Sequence, residues 1–417
     1  MLTPTEAARL MLETCAPLPP QRRGLKEALD LVLAEDVDSP IDLPPWDNSA
    51  MDGYALRAAD VTGATPEQRK MVRVVETVPA ARVPQRSLTR GEASRIFTGG
   101  PIPAGADSVI RQEDTQVLPD GGVAVFDDRD AGRNIRHRGE DIRKGDRVLA
   151  AGTALGPAQL GVLASIAHAT PLVHPAPRVA FLASGDEIVD LDRGPEILAG
   201  EKIATSNSST LFAMIRRTGG IPVDLGIARD TKESLRAHLA GASGADLLVT
   251  TAGVSVGEHD LVRTVLTELG CEMKLWRIRM RPGAPVGFGL LDGKPWIGLP
   301  GNPVSTMVTF ELFVRPVIRR LLGHALPFRR TVTVCVGEPI TLGPRLRHFL
   351  RVVVRPEGAD GVLTARLTGP QGSGILTSMA RANALLIVPE DRATVAVGDA
   401  LSALVLDDAS HVAQPPF

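Results

Sequence analysis

Between residues 178 and 322 two kinds of apolar run alternate, and nothing else in the sequence constrains the fold as strongly. RVAFLA (178–183) is an unbroken apolar run, as expected of a strand buried on both faces. STLFAMIRRTGG (209–220) has helical spacing and is closed by Gly219-Gly220. VDLGIA, KESLRAHLAGA, DLLVTTA and DLVRTVLTELG continue as strand, helix, strand and helix. KLWRIRM and PWIGLP are two more strands, and a long helix is predicted over Val304–Leu322. This alternation predicts a doubly wound, mostly parallel sheet.

The flanking segments have other textures. Thr3-Pro4-Thr5-Glu6 is a capping box with proline at the first helical position, which predicts a helix over Glu6–Glu13. A second helix is predicted through LKEALDLVLAED (25–36) and another over LGPAQLGVLASIA (155–167). From Val72 to Val148 short runs (MVRVVE, SRIFTG, DSVIRQE, VAVF) alternate with Gly/Pro turns, the pattern of a small β-rich domain inserted into the helical region. After Pro327, VTVCV, FLRVVVRP, VLTARL, ALLIVP and LSALVL predict an antiparallel barrel or sandwich. A chain of 417 residues holds roughly three domains at about 150 residues each. The expected division is a helical linker domain (1–50 with 141–176), a β-rich insertion (51–140), an α/β domain (177–327) and a C-terminal β domain (328–417).

Charge and cysteine usage exclude several classes. Lys+Arg 46 against Asp+Glu 48 gives a net charge of -2, without the basic excess that nucleic acid or an anionic membrane recruits. Cys15, Cys271 and Cys335 are far apart and odd in number, so neither a disulfide framework nor a thiolate metal site is expected. No apolar run approaches ~20 residues. The start, MLTPTEAARLMLETC, interrupts any secretory core with charge, so the expected location is cytoplasmic and the Asn207-Ser208-Ser209 sequon is expected to stay unused.

Chemistry gathers where an open parallel sheet places it, beyond the carboxyl ends of the strands. RVAFLA runs into Ser184-Gly185-Asp186-Glu187, VDLGIA into Arg229-Asp230, DLLVTT into AGVSVGEHD (252–260), and PWIGLP into Gly301-Asn302-Pro303. The glycine-spaced AGVSVGEHD loop leads into a helix at Asp260; it either presents N–H groups to an anion or is a tight turn with Asp260 as cap. In WRIRMRPG (276–283), Arg277, Arg279 and Arg281 fall on one face of a predicted strand. That face is either an edge defended by charge or an oxyanion site suited to arginine geometry. Acids beside anion-binding loops call for a hard cation, Mg²⁺, between carboxylate and phosphate. The residues alone describe an α/β enzyme handling a phosphorylated ligand. PPWDNSAMDGYALRAAD (44–60) poses a separate question, because Asp52 stands in turn chemistry too acidic and aromatic for a plain connection.

Nine stretches, in order along nearly the whole chain, resemble the molybdopterin molybdenumtransferases, which are related to the second domain of gephyrin-type proteins. They are DNSAMDGYA (47–55), FTGGPIPAGADSVI (97–110), GRNIRHRGEDIRKGD (132–146), ASGDEIV (183–189) and TSNSSTL (205–211), then AGVSVGEHD (252–260), MRPGAPVGFG (280–289), GLPGNPVS (298–305) and SMARAN (378–383). The resemblance implies an enzyme that takes adenylylated molybdopterin and molybdate, uses Mg²⁺, and releases AMP and molybdenum cofactor. It implies an elongated homodimer with an active site shared between subunits. Molybdopterin adenylyltransferase and molybdoenzyme apoproteins would be its neighbours upstream and downstream. Asp52 then completes the site from the partner subunit, and Asp141 supports it. Glu187, Asp230 and Asp260 become acids around the sheet-domain pocket and the ligands of Mg²⁺. Arg281 becomes a cation for molybdate. Ligand-contact positions fall on Thr98, Ser184, Gly185 and Asn207, and on Gly253, Ser255 and Gly257. They continue with Pro300, Gly301, Asn302, Pro303 and Ser305, while Arg351 and Ser378 help to hold molybdate.

The chain departs from the family pattern in three places. Ser184 and Ala252 stand where STGDE and GGVSVG carry threonine and glycine, and MKPGKP becomes MRPGAP, so that Ala284 removes one cation. Two rivals share the fold: a molybdopterin adenylyltransferase, which resembles residues 178–327 alone, and a non-catalytic scaffold.

Overall fold

The computed structural model describes residues 1–80, 82–252, 261–343, 345–358 and 360–407. They form two compact units, one made of 1–35, 152–157 and 170 onward, the other of 36–151 and 158–169.

The second unit is built on six strands: β1 (Gly53–Leu56), β2 (Lys70–Val78), β3 (Glu92–Ile96), β4 (Ser108–Arg111), β5 (Thr115–Val117) and β6 (Val123–Val125), in the order β4-β1-β3-β2-β6-β5. Leu56, Val72, Ala93, Ile110 and Val123 pack its core. Gly53 is obligatory here, since a Cβ would lie 1.9 Å from the Ile110 carbonyl oxygen. The β runs of the sequence are therefore strands, and the helix Pro157–Ser165 follows them.

In the first unit β7 (Arg178–Ser184), β8 (Ile221–Ala228), β9 (Leu247–Thr251), β10 (Glu272–Arg277), β11 (Met280–Arg281), β12 (Pro285–Leu291) and β13 (Lys294–Leu299) follow one another. Six of them make a mixed sheet ordered β8-β7-β9-β13-β12-β10, parallel from β8 to β13 and antiparallel beyond. Both faces are covered: β7 is buried from Val179 to Ser184, and its alternate side chains join two different cores. Val179 and Phe181 join Leu211 and Ile215 of the helix Ser206–Thr218, Val308 of the helix Pro303–Thr309 and Val314 of the π turn Phe310–Val314 that continues it. Ala180 and Leu182 join Leu235, Val262 and Val265 of the helices Lys232–Leu239 and Leu261–Glu268. The N-terminal helix Pro4–Thr14 adds Ala7 and Met11 to the first face. Its capping box is present, with Glu6 N–H donating to Thr3 Oγ1 and Thr3 N–H donating to Glu6 Oε2.

The C-terminal strands β14 (Thr331–Val336), β15 (Arg347–Glu357), β16 (Val362–Leu367), β17 (Ala384–Val388) and β18 (Ala400–Val405) close into a barrel, β15-β16-β14-β18-β17 and back to β15. Val334, Leu350, Val352, Leu386 and Ala403 fill it. Closure removes the open edges of a free sheet.

Two expectations fail. LKEALDLVLAED is not a helix: Leu25–Asp30 is a run of turns with Asp30 at φ 64°, and Val32–Leu33 is a strand paired with Val173–His174. Val32 and Leu33 are both fully buried, and their backbone hydrogen bonds go to the neighbouring strand instead of along a helix. WRIRMRPG is not one strand either. β10 ends at Arg277, the Ile278 N–H turns to the Ala284 carbonyl, and β11 crosses to pair in parallel with β15 of the barrel. The alternation of burial survives, with Ile278 and Met280 buried and the three arginines exposed. Continuity does not: Arg277 and Arg281 belong to different sheets.

Candidate functional site

Loops at the carboxyl ends of β7, β9 and β13 surround a cavity of about 600 Å³ in the first unit. Ser184 and Glu187 enter from β7, Thr251 and Ala252 from β9, and Pro300, Gly301, Asn302 and Pro303 from β13. Asn207 enters from the start of the helix Ser206–Thr218 and Gly374 from the C-terminal domain. The Asn207 amide donates from Nδ2 to the Gly301 carbonyl at 2.7 Å, while its Oδ1 is buried and has no partner. A buried acceptor left unmet costs about 1–3 kcal/mol, and a donor entering the cavity would satisfy it. Ala252 stands at φ 68°, a left-handed conformation that glycine adopts without strain.

Beside this cavity the acids cluster. Asp186 and Asp230 are hydrogen-bonded, the Asp230 N–H donating to Asp186 Oδ1 at 3.2 Å. Partial loss of solvation holds the Asp230 carboxyl above the usual aspartate range, with the charges of Asp186 and Glu187 adding to it and a hydrogen bond from the Asp186 backbone opposing it. Of the three, Glu187 lines the cavity. Among the described residues no three acidic, histidine or cysteine side chains converge tightly enough to hold a metal alone. Mg²⁺ takes one or two protein carboxylates and fills its shell with water and substrate phosphate, so Glu187 and Asp230 fit such a sparse set. Gly253, Ser255, Gly257 and Asp260 lie outside the described residues.

A second cavity, about 270 Å³, lies where β11 meets the barrel. Arg281, His348, Arg351, Gln371 and Gly372 line it together with Thr341 and Gly343. Arg351 is fully buried. Its Nε donates to Ser378 Oγ at 3.0 Å and an Nη to the Gly372 carbonyl at 2.9 Å, both uncharged acceptors. Burial with no compensating carboxylate among the described residues lowers its pKa to about 10. A buried cation without a counter-ion is costly unless an anion enters. The segment 371–374 walls both cavities, and Asn302 Nδ2 donates to Ser373 Oγ at 3.1 Å across it. Ser305 is buried in the helix that follows Asn302, where its carbonyl accepts from Thr309 Oγ1. Arg279 contributes to neither cavity; its N–H donates to the Leu2 carbonyl.

In the other unit Asp52 is exposed and accepts two bonds on one oxygen, from the N–H and the Oγ1 of Thr98, each at 2.7 Å. These bonds hold its carboxyl below the usual range, with a smaller contribution from the Arg95 guanidinium. The structure thus joins two sequence-predicted residues that lie 46 positions apart. Asp141 is exposed in the 132–146 segment, which Asp42 and Asp47 clip by accepting from Lys144 N–H and Arg138 N–H.

Comparison with known proteins covers nearly the whole chain. Residues 2–167 match the MoeA N-terminal region (domain I and II), 180–320 the probable molybdopterin binding domain, and 333–406 the MoeA C-terminal region (domain IV). A molybdopterin molybdenumtransferase 2 of Mycobacterium tuberculosis (strain ATCC 25618 / H37Rv) is 36% identical over 400 residues, covering 94% of this chain and 95% of its own. The chain belongs to the molybdopterin molybdenumtransferase family. The molybdopterin molybdenumtransferase of Haemophilus influenzae (strain ATCC 51907 / DSM 11121 / KW20 / Rd) is 34% identical, with 96% of this chain and 98% of its own covered. A crystal structure of a molybdopterin biosynthesis MoeA protein from Pyrococcus horikoshii OT3 superimposes with a TM-score of 0.79 at 27% identity, covering 97% of this chain and 100% of that one. As in other molybdopterin molybdenumtransferases, the function is a transfer step of molybdenum cofactor biosynthesis. No helix among the described residues is long and apolar enough to cross a membrane.

The sequence missed His348 as part of the constellation. The signal for His348 was RHFLR, a cationic run entering an otherwise apolar strand.

Proposed function

We propose that the chain inserts molybdenum into adenylylated molybdopterin, using molybdate and Mg²⁺ and releasing AMP and molybdenum cofactor. The observation that carries this is the pairing of cavities across 371–374, a larger one with an unmet acceptor and a smaller one with an uncompensated buried guanidinium.

In this scheme the larger cavity takes the pterin, whose N–H groups satisfy Asn207 Oδ1, and the Gly301 and Ala252 backbones approach it closely. Arg351 and Arg281 bind the molybdate oxyanion, since guanidinium geometry suits tetrahedral oxygens. Ser378 orients Arg351 by accepting from its Nε. Glu187 and Asp230, with Asp260, hold Mg²⁺, which neutralises phosphoanhydride charge when bound. The protein offers no thiolate set because the dithiolene sulfurs of the substrate receive the metal. Two copies of the chain share each site, with Asp52 supplied by the partner subunit. The reaction runs in the cytoplasm, between an adenylyltransferase and a molybdoenzyme apoprotein.

The test is to supply molybdopterin with ATP in one reaction and adenylylated molybdopterin with molybdate and Mg²⁺ in another. AMP release in the second and no ATP consumption in the first is expected. ATP consumption would mark an adenylyltransferase, and silence in both would leave a scaffold.

A further inference from the structure

His348 has no task in the scheme above, yet it lines the smaller cavity at 3% exposure. Its Cα is the register partner of Arg281 across β11 and β15, which sets the two side chains beside each other. The ring Nε2 lies 3.2 Å from the Gly343 carbonyl, which only accepts, so Nε2 carries the proton and the neutral ring keeps a lone pair on Nδ1.

The neighbours are cationic or neutral. β11 contributes Arg281, the ring's own strand contributes Arg351, the short strand Ile340–Thr341 contributes Thr341, and the connection after it contributes the Gly343 carbonyl. The 371–372 segment contributes Gln371 and Gly372, and on β17 the register partner is the apolar Val388. The nearby acid, Glu390, is engaged by Arg347 at 3.0 Å. Burial keeps the ring below the usual histidine range; the charge of Arg281 adds to this and the Gly343 hydrogen bond opposes it. At neutral pH the ring is therefore uncharged while the cavity is empty of anion.

An entering dianion acts against both burial and Arg281, since its charge favours the protonated ring. Ala284 sharpens the need, because the MRPGAP loop offers a single cation. Resting on the oxyanion assignment of this cavity, we propose that His348 is a third anion-binding group, which takes a proton from solvent as molybdate enters. The step balances as neutral His348 plus H⁺ plus molybdate giving an imidazolium–molybdate pair. Binding is then linked to one proton over the window from the anion-free ring pKa, below the usual histidine range, to the higher anion-bound one. In that window affinity rises as pH falls, by up to about tenfold per unit, and it flattens below the window.

Calorimetric titration of the full chain with molybdate at pH 7.5, in buffers of different ionisation heat, counts the protons taken up. Wild type is expected to take up a measurable fraction of a proton and His348→Gln none. The slope of log Kd against pH in wild type reads the same linkage without any variant, and sulfate serves as an unreactive second probe. Molybdate binding with no proton uptake and no pH slope, or uptake that persists in His348→Gln, overturns the role of His348 and leaves the cavity standing. No molybdate binding by wild type at any pH overturns the cavity assignment and this inference together.

Discussion

Ala252 holds φ 68° where the family pattern carries glycine. An L-residue in that region costs about 1–2 kcal/mol, against about 0.5–1 kcal/mol of extra chain entropy for glycine. Ala252→Gly is therefore expected to raise stability by up to about 1 kcal/mol, read as a higher denaturation midpoint, and an unchanged or lower midpoint would refute the strain. Arg351 presents the opposite trade. As a buried cation without a counter-ion it adds little stability, so Arg351→Met should keep the melting temperature while abolishing the stabilisation that molybdate gives wild type. At a hundredfold excess over Kd that stabilisation is about 2.7 kcal/mol. Loss of fold in Arg351→Met, or an undiminished molybdate effect, would show that the guanidinium is structural. Both positions were named from the sequence, but their condition was not legible there. A φ value and a missing counter-ion are properties of the folded surroundings.

At the scale of elements, pattern served best where one periodicity ran long. The unbroken apolar run of β7 and the strand–helix order predicted a sheet covered on both faces, and Phe181→Ala, which empties one of them, should cost about 3–5 kcal/mol. Pattern failed at LKEALDLVLAED, where pairing of Val32–Leu33 with Val173–His174 overrides helical spacing. It half failed at WRIRMRPG, because a local run carries no record that Met280 and Arg281 pair with a strand 67 positions away, Arg281 with His348. That break sorts the arginines by function. Arg281 lines the oxyanion cavity and Arg279 does not. Arg281→Ala should raise the molybdate concentration for half-maximal rate far more than Arg279→Ala, and salt should shrink the difference by screening. Equal effects of the two variants would move the oxyanion site elsewhere. The loops beyond the parallel strands were legible as a site because topology alone places them together. The smaller cavity was not, since it exists only where β11 leaves one domain for the barrel of another.

Across the whole molecule, Asp52 with Thr98 belongs to one unit and Glu187 with Asp230 to the other. If each active site draws on two subunits, an Asp52→Ala chain and a Glu187→Ala chain, each inactive alone, should regain activity when mixed, with one of the two sites intact in each heterodimer. No recovery after verified subunit exchange would confine the site to a single chain. The most direct test of the proposed reaction is a time course of AMP release from adenylylated molybdopterin with Mg²⁺, with and without molybdate. Expected is molybdate-dependent release, saturating with molybdate and matched mole for mole by molybdenum cofactor that reconstitutes a molybdoenzyme apoprotein. AMP release indifferent to molybdate, or none under any Mg²⁺ concentration, would contradict it.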